Sequence, residues 1–419
     1  MDFKIYYATN RGHEGADRFS PDRYGERFSS DGMENLRFGR VTFTADEQRV
    51  NELLNQDRPL TGPGDGEALQ DYFAACAKAT QRIEAYEESI PDPRLSDTAQ
   101  PTRLGSKAMF ADLQQDMCVG RDMLVLIHGY NVDWEEAVGT AAALEATLNR
   151  PDPAPSGSSD HSVAPTQPVR VVLFTWPSNG QALPFVSYKS DRSDAAASAG
   201  AVGRGLLKVR DFLHELGREL RKSNVEAAAL RVQLESQGVR PSEVHRAIAQ
   251  LEAMRICGQN IHLLAHSMGN YVLQHALARV CEFTPGDTMP RLFDRVFLCA
   301  ADVDDDVLEP GKPMEPVHQI ANLVAIYHNP NDNALRVSDY TKGNPDRLGH
   351  RGAARPQSLH HKMMQVDCNA LVTGWTQHSY YTNGRIARDI RLSLQGIAPD
   401  DPARRLTRVA GSAANAWRF

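Results

Sequence analysis

Five short apolar runs recur along the chain: LVLIH at 124–128, VRVVLFT at 169–175, IHLLA at 261–265, RVFLCA at 295–300 and LVAIY at 323–327. Each is continuous rather than alternating, the pattern of strands buried on both faces of a parallel sheet. Between them the period lengthens. Val202, Leu206, Val209, Leu213, Leu216 and Leu220 recur every three or four residues, the spacing of one helix face. Residues 134–148 and 268–280 are also helical in pattern, and 385–394 reads as a terminal helix after the strand-like 364–372. Strands that alternate with helices predict an α/β architecture, a doubly wound and mostly parallel sheet covered on both faces.

Two stretches break this rhythm. PDPAPSGSSDHSVAPTQP at 151–168 reads as a mobile surface loop. Residues 224–257 read as a helical hairpin inserted before the third run, turning at QGVRPS, where Gly238 and Pro241 interrupt the pattern; it is either a lid or an ordinary packed pair. The main domain is expected over 1–396, with 397–419 as a C-terminal tail.

The densest chemistry lies in NIHLLAHSMGNYVLQHAL at 260–277. A buried strand passes through Ala265-His266-Ser267-Met268-Gly269 directly into an amphipathic helix, the strand–turn–helix setting of a nucleophile elbow. So sharp a turn needs small residues two places either side of the serine. Gly269 supplies one, and Ala265 still clears the neighbouring strand. The turn raises the Ser267 hydroxyl to the carboxyl edge of the sheet, and the Met268 N–H becomes an oxyanion donor. LVLIHGYN at 124–131 offers the second half of an acyl-transfer site, with the Tyr130 N–H as the other donor. His128 reads as a brace for this loop, because the base of such a site follows the serine in the chain.

In this arrangement an acid and then a histidine follow. Asp332, in the NPND turn after the fifth run, is the favoured acid; Asp302, after the fourth, is the alternative. The acidic run of Asp302, Asp304, Asp305 and Asp306 lacks the spaced oxygen ligands and glycine of an EF-hand, so no metal is expected. Among His350, His360, His361 and His378, the last follows the final strand-like run, whereas His360 and His361 precede it. His378 would take the Ser267 proton and Asp332 would stabilise the resulting imidazolium.

Composition narrows the partners. A formal charge of −7 with no basic stripe argues against nucleic acid. No apolar run approaches the ~20 residues of a membrane span, and the start has no secretory core, so a cytoplasmic protein without stable membrane insertion is expected. The six cysteines lack CxxC spacing and read as free thiols. No cofactor is expected, and nothing in the sequence fixes the oligomeric state.

With these residues placed, the chain resembles a bacterial branch of the α/β-hydrolase superfamily, of unknown function with predicted esterase or lipase activity. The resemblance rests on YYATNR (6–11), FGRV (38–41), LIHGYN (126–131), FTWPSNG (174–180), YKSDRSDA (188–195), LLAHSMGN (263–270), AADVDDDV (300–307), YHNPNDNAL (327–335), RLG (347–349) and HSYY (378–381). It implies a triad of Ser267, Asp332 and His378, with Tyr130 and Met268 around the oxyanion. Trp176, Tyr188 and Asp191 match motif positions near the site without an assigned role. The expected activity is hydrolysis of carboxylic esters, including lipid esters. The same residues would also serve amide or thioester cleavage or acyl transfer to an alcohol. The competing reading is a scaffold that keeps the fold without turnover. A lid touching membranes is disfavoured by the many Arg, Glu and Gln residues of 224–257.

Overall fold

Eleven strands form one sheet in the computed structural model, which describes residues 1–88, 103–151, 168–178, 184–245, 248, 259–284, 289–335, 346–372 and 378–419. In chain order the strands are β1 (Asp2–Thr9), β2 (Arg37–Thr44), β3 (Arg82–Ala85), β4 (Asp122–Ile127), β5 (Val169–Thr175), β6 (Ile261–His266), β7 (Phe293–Cys299), β8 (Ala321–His328), β9 (Met363–Asp367), β10 (Thr407–Arg408) and β11 (Ala416–Arg418). Their spatial order is β10-β11-β9-β8-β7-β6-β4-β5-β1-β2-β3. Pairing is parallel from β11 through to β1, and antiparallel only at the two ends, β10 on β11 and β2 between β1 and β3. Eight neighbouring carboxyl ends therefore reach one edge, where β6 lies between β4 and β7.

The apolar runs are unbroken because each strand serves two cores. Leu263 and Ala265 of β6 face one core and Leu264 the other; Val324 and Ile326 of β8 oppose Ala325 and Tyr327 in the same way. Helices α3 (Gly105–Cys118), α5 (Pro184–Ser236) and α6 (Gly269–Glu282) cover the first face. Helices α1 (Glu47–Asn55), α2 (Gly66–Thr80), α4 (Trp134–Leu148) and α7 (Gly384–Leu394) cover the second. Helix α4 begins with a full capping box, Asp133 accepting from the Glu136 N–H while Glu136 accepts from the Asp133 N–H.

Two expectations need correction. The helix of 202–220 and the first limb of the expected hairpin are one element, α5, which has 53 residues. RKSN at 221–224 contains neither proline nor glycine, so nothing stops the helix there. It ends at Ser236, two residues before Gly238, whose φ of +73° is the left-handed conformation glycine adopts past a helix C-terminus. Beyond that turn Val244 and Ile248 meet Leu234 and Val239 in a small cluster apart from both main cores. The rest of the second limb lies outside the described residues, as does the 151–168 loop except at its ends.

The segment 397–419 is not a tail. It supplies β10 and β11, and it is anchored by a buried ion pair in which Arg404 Nε and Nη2 donate to the two carboxylate oxygens of Asp389 on α7 at 2.7 and 2.9 Å. Tyr327 Oη on β8 donates to the same carboxylate at 2.6 Å. Both partners of the pair are nearly inaccessible, so removing one leaves a buried charge unmatched. We expect Asp389→Ala to cost about 3–5 kcal/mol of unfolding free energy in urea titration. A loss under about 1 kcal/mol would show that the C-terminal strands are not held through this pair.

Candidate functional site

Ser267 sits between β6 and α6 with φ +52°, an unusual conformation for a residue bearing a Cβ. It is 1% exposed. Its N–H donates to the Cys299 carbonyl at 3.0 Å, and its carbonyl accepts from the Asn270 N–H, the Asn270 Nδ2 and the Asp302 N–H at 3.0–3.2 Å. Asn270 Nδ2 also donates to the Ala265 carbonyl at 2.9 Å, so one amide side chain spans the turn from strand to helix. Gly269 is required by contact as well as by helix geometry. A Cβ there would lie 2.5 Å from the Ile127 carbonyl oxygen and 2.7 Å from that of His128. Gly129 faces the serine itself, since a Cβ on it would come within 2.9 Å of Ser267 Cβ.

The HGYN loop after β4 is braced from three directions. His128 stacks on Trp176, with ring centroids 5.4 Å apart and planes 7° from parallel, and its Nε2 meets Thr175 Oγ1 at 2.9 Å. Trp176 Nε1 donates to the His128 carbonyl at 3.1 Å. Burial pushes the His128 imidazole down to about 3, so it is neutral at physiological pH, as befits a brace. Asp191, fully buried on α5, accepts from the Asn131 N–H at 2.9 Å and from Ser178 Oγ at 2.8 Å. Ser178 Oγ accepts in turn from the Val132 N–H at 3.2 Å. Two residues after β1, Arg11 donates to Thr175 Oγ1, the Gly25 carbonyl and the Val132 carbonyl at 2.7–3.2 Å. These contacts give the YYATNR, TWPS and YKSDRSDA segments a shared task, which is to hold the loop that faces Ser267. Among the described residues, the Tyr130 and Met268 N–H groups have no acceptor.

Asp332 and His378 meet directly: His378 Nδ1 and Asp332 Oδ2 are 2.7 Å apart. The other carboxylate oxygen accepts from the Ala334 and Leu335 N–H groups at 3.1 and 3.4 Å. His378 Nε2 is buried without a hydrogen-bond partner, so the resting structure has no bond between it and Ser267 Oγ. The ring is nonetheless beside the elbow. His266, the residue before Ser267, reaches the His378 carbonyl through Nε2 at 3.2 Å, and the two rings lie 4.8 Å apart. Burial holds His266 well below the usual histidine range. Burial also works against the His378 cation, but the Asp332 charge and hydrogen bond, with the Asp302 charge behind them, outweigh it and raise His378 above 6.5.

Asp302, the alternative acid, is engaged elsewhere. Its Oδ2 accepts from Tyr188 Oη at 2.7 Å and its Oδ1 lies 3.3 Å from Arg347 Nε, which is fully buried. Neither His266 nor Asn270 carried a signal of its own in the sequence; their contacts follow from standing one place before and three places after Ser267. The RLG segment proves to be a spacer, because a Cβ on Gly349 would lie 2.1 Å from the Ala301 nitrogen. Among the described residues, no three His, Cys, Asp or Glu side chains are grouped to hold a metal ion, and no helix is long and apolar enough to cross a membrane.

A family model matches residues 106–214 and 226–386, more than half of the chain, and is described as an alpha/beta hydrolase of unknown function (DUF900). The chain belongs to this family. Searches of curated proteins and of solved structures returned no match. In this DUF900 protein the elevated His378 is open to direct measurement. Its imidazole should titrate above 6.5 by NMR, and Asp332→Asn should lower that value, since burial then meets less opposition. An unchanged titration in the variant would show that the carboxylate does not govern the ring.

Proposed function

We propose that this protein is a serine hydrolase of carboxylic esters. Ser267 is the nucleophile, His378 the general base, Asp332 the orienting acid, and the Met268 and Tyr130 N–H groups the oxyanion donors. The observation that carries this reading is the His378–Asp332 contact at 2.7 Å beside a serine in the left-handed conformation. Ser267 Oγ attacks the ester carbonyl carbon while His378 Nε2 takes the hydroxyl proton. The carbonyl oxygen becomes an oxyanion that receives the two backbone N–H groups, which are already fixed in place and need no reorganisation. Collapse of the tetrahedral intermediate expels the alcohol, which leaves with the proton from His378. Water then repeats the sequence on the acyl-enzyme and releases the acid.

Two features support the reading. The unpartnered Nε2 is the lone pair that a base must keep available, and hydrogen bonds of this kind commonly close only when substrate is present. Asp332 accepts two backbone N–H groups on its other oxygen, which fixes the carboxylate, and with it the His378 tautomer, before substrate arrives.

Ser267→Ala should lower hydrolysis of a graded series of p-nitrophenyl esters by about a thousandfold or more. A fluorophosphonate should label the native protein at Ser267. The acid limb of kcat/KM should lie above pH 6.5, because the base acts unprotonated and its pKa is raised. Equal hydrolysis by native and variant protein, with no adduct on folded material, would leave the scaffold reading in its place.

A further inference from the structure

The YKSDRSDA segment carries one residue that bracing does not use. Arg192 lies one turn after Tyr188 on α5, and its guanidinium carbon stands 3.7 Å over the ring of Tyr271, in the first turn of the helix that Ser267 begins. Its Nη1 reaches Tyr188 Oη only at 3.5 Å. Tyr188 donates to Asp302, and the Asp302 N–H donates to the Ser267 carbonyl, so two hydrogen bonds separate the Arg192 contact from the nucleophile's backbone. Tyr188 also packs edge-on against Tyr130, whose ring centroid is 5.7 Å away. The guanidinium is thus fixed by stacking at the rim of the site.

Other arginines near the site already have partners. Arg347 pairs with two carboxylates, Asp302 through Nε and Asp304 through Nη1. Arg11 spends its donors on Thr175, Gly25 and Val132. Arg192, half-buried, has no carboxylate within ion-pair distance among the described residues, and Asp302 lies beyond Tyr188 with its charge already met by Arg347. Stacking on an aromatic face leaves the edge of a guanidinium, with its N–H fork, open to an oxyanion in its plane. A second nitrogen lies close by. His275 sits edge-on to the same Tyr271 ring at 4.4 Å, and its Nε2 is buried without a partner. A positive charge held half out of water near Ser267, with no carboxylate at ion-pair distance among the described residues and the Asp302 charge shared with Arg347, suits a substrate that brings the negative charge with it.

We propose that Arg192 binds an anionic oxygen group, a carboxylate or a phosphate, carried by the ester that Ser267 cleaves. This rests on the hydrolase reading above and names its substrate class: acidic esters rather than neutral lipid esters.

The test compares mono-4-nitrophenyl glutarate with its methyl ester, two substrates of similar length that differ in charge. The native protein should favour the acid in kcat/KM, and added salt should erode that preference. Arg192→Gln should lower the acid-to-ester ratio by about tenfold or more, chiefly through KM, while Arg192→Lys retains part of it. Binding without turnover is read by NMR titration of Ser267→Ala protein with monomethyl glutarate, which should saturate and be abolished by adding Arg192→Gln. Hydrolysis of both esters with the same ratio in native and Arg192→Gln protein overturns the anion site and leaves the hydrolase reading intact. Arg192-dependent binding of monomethyl glutarate, with neither ester turned over, does the reverse.

Discussion

Everything at the site depends on how closely two pieces of backbone approach at the carboxyl edge of the sheet. The loop after β4 passes so near the turn after β6 that neither Gly269 nor Gly129 has room for a Cβ. That proximity forces the chain to reverse within a residue or two, and Ser267 takes the left-handed conformation as a result, at a cost on the order of 1–3 kcal/mol. The turn is held by convergence of donors on one atom, since the Ser267 carbonyl accepts from Asn270 twice and from Asp302 once. Among the described residues, the Met268 and Tyr130 N–H groups, one on each side of this contact, have no acceptor.

Asp332 and His378 are positioned by a second approach of the same kind. Gly349 rests against the Ala300–Ala301 backbone, and its carbonyl accepts from the Asn329 N–H, which fixes the start of the turn that carries Asp332. Tyr380, two residues after His378, donates its hydroxyl proton to the Tyr327 carbonyl at 2.9 Å and accepts from the Ala300 N–H at 3.1 Å. One buried phenol therefore ties the base loop to β7 and β8, while His266 holds the carbonyl of His378 itself. The three functional side chains come from separate loops, yet each loop is fastened to the β6–β7–β8 centre of the sheet rather than to the periphery.

The central strands and the elbow were legible because their signals are local: an unbroken apolar run, a small residue on each side of the serine, a turn rich in Asn and Pro before Asp332. Asp332 and His378 were selected because chain order restricts the choice to loops after late strands, and these two side chains lie 2.7 Å apart. What stayed hidden was set by partners far away in sequence. Arg404 reads as an ordinary charge near the end of the chain until Asp389 is placed against it, and only then does 397–419 become part of the sheet. β3 is short and alternates in burial and β2 is interrupted by partly exposed positions, so they lack the apolar density that revealed β4 to β8. The continuity of α5 was obscured by a change in composition at 221–224, which alters the polarity of a helix without stopping it.

The electrostatics of the site follow from the same packing. Three imidazoles lie within a few residues of Ser267 in space, and burial disfavours the charged form of all of them. Only His378 has a carboxylate on its ring, and only its value is raised. His128 and His266 feel no comparable anion: Arg11 adds to the penalty on the first and the His378 charge to the penalty on the second. Had His266 been free to protonate, its charge would oppose that of His378 across a ring separation of 4.8 Å, cancelling part of what Asp332 contributes. Enclosing two histidines without counter-ions disfavours their charged forms and leaves them as hydrogen-bonding struts, while His378 is the one ring of the three whose cation its surroundings favour. The placement of one carboxylate, Asp332, thus sets one of three chemically identical rings apart from the other two.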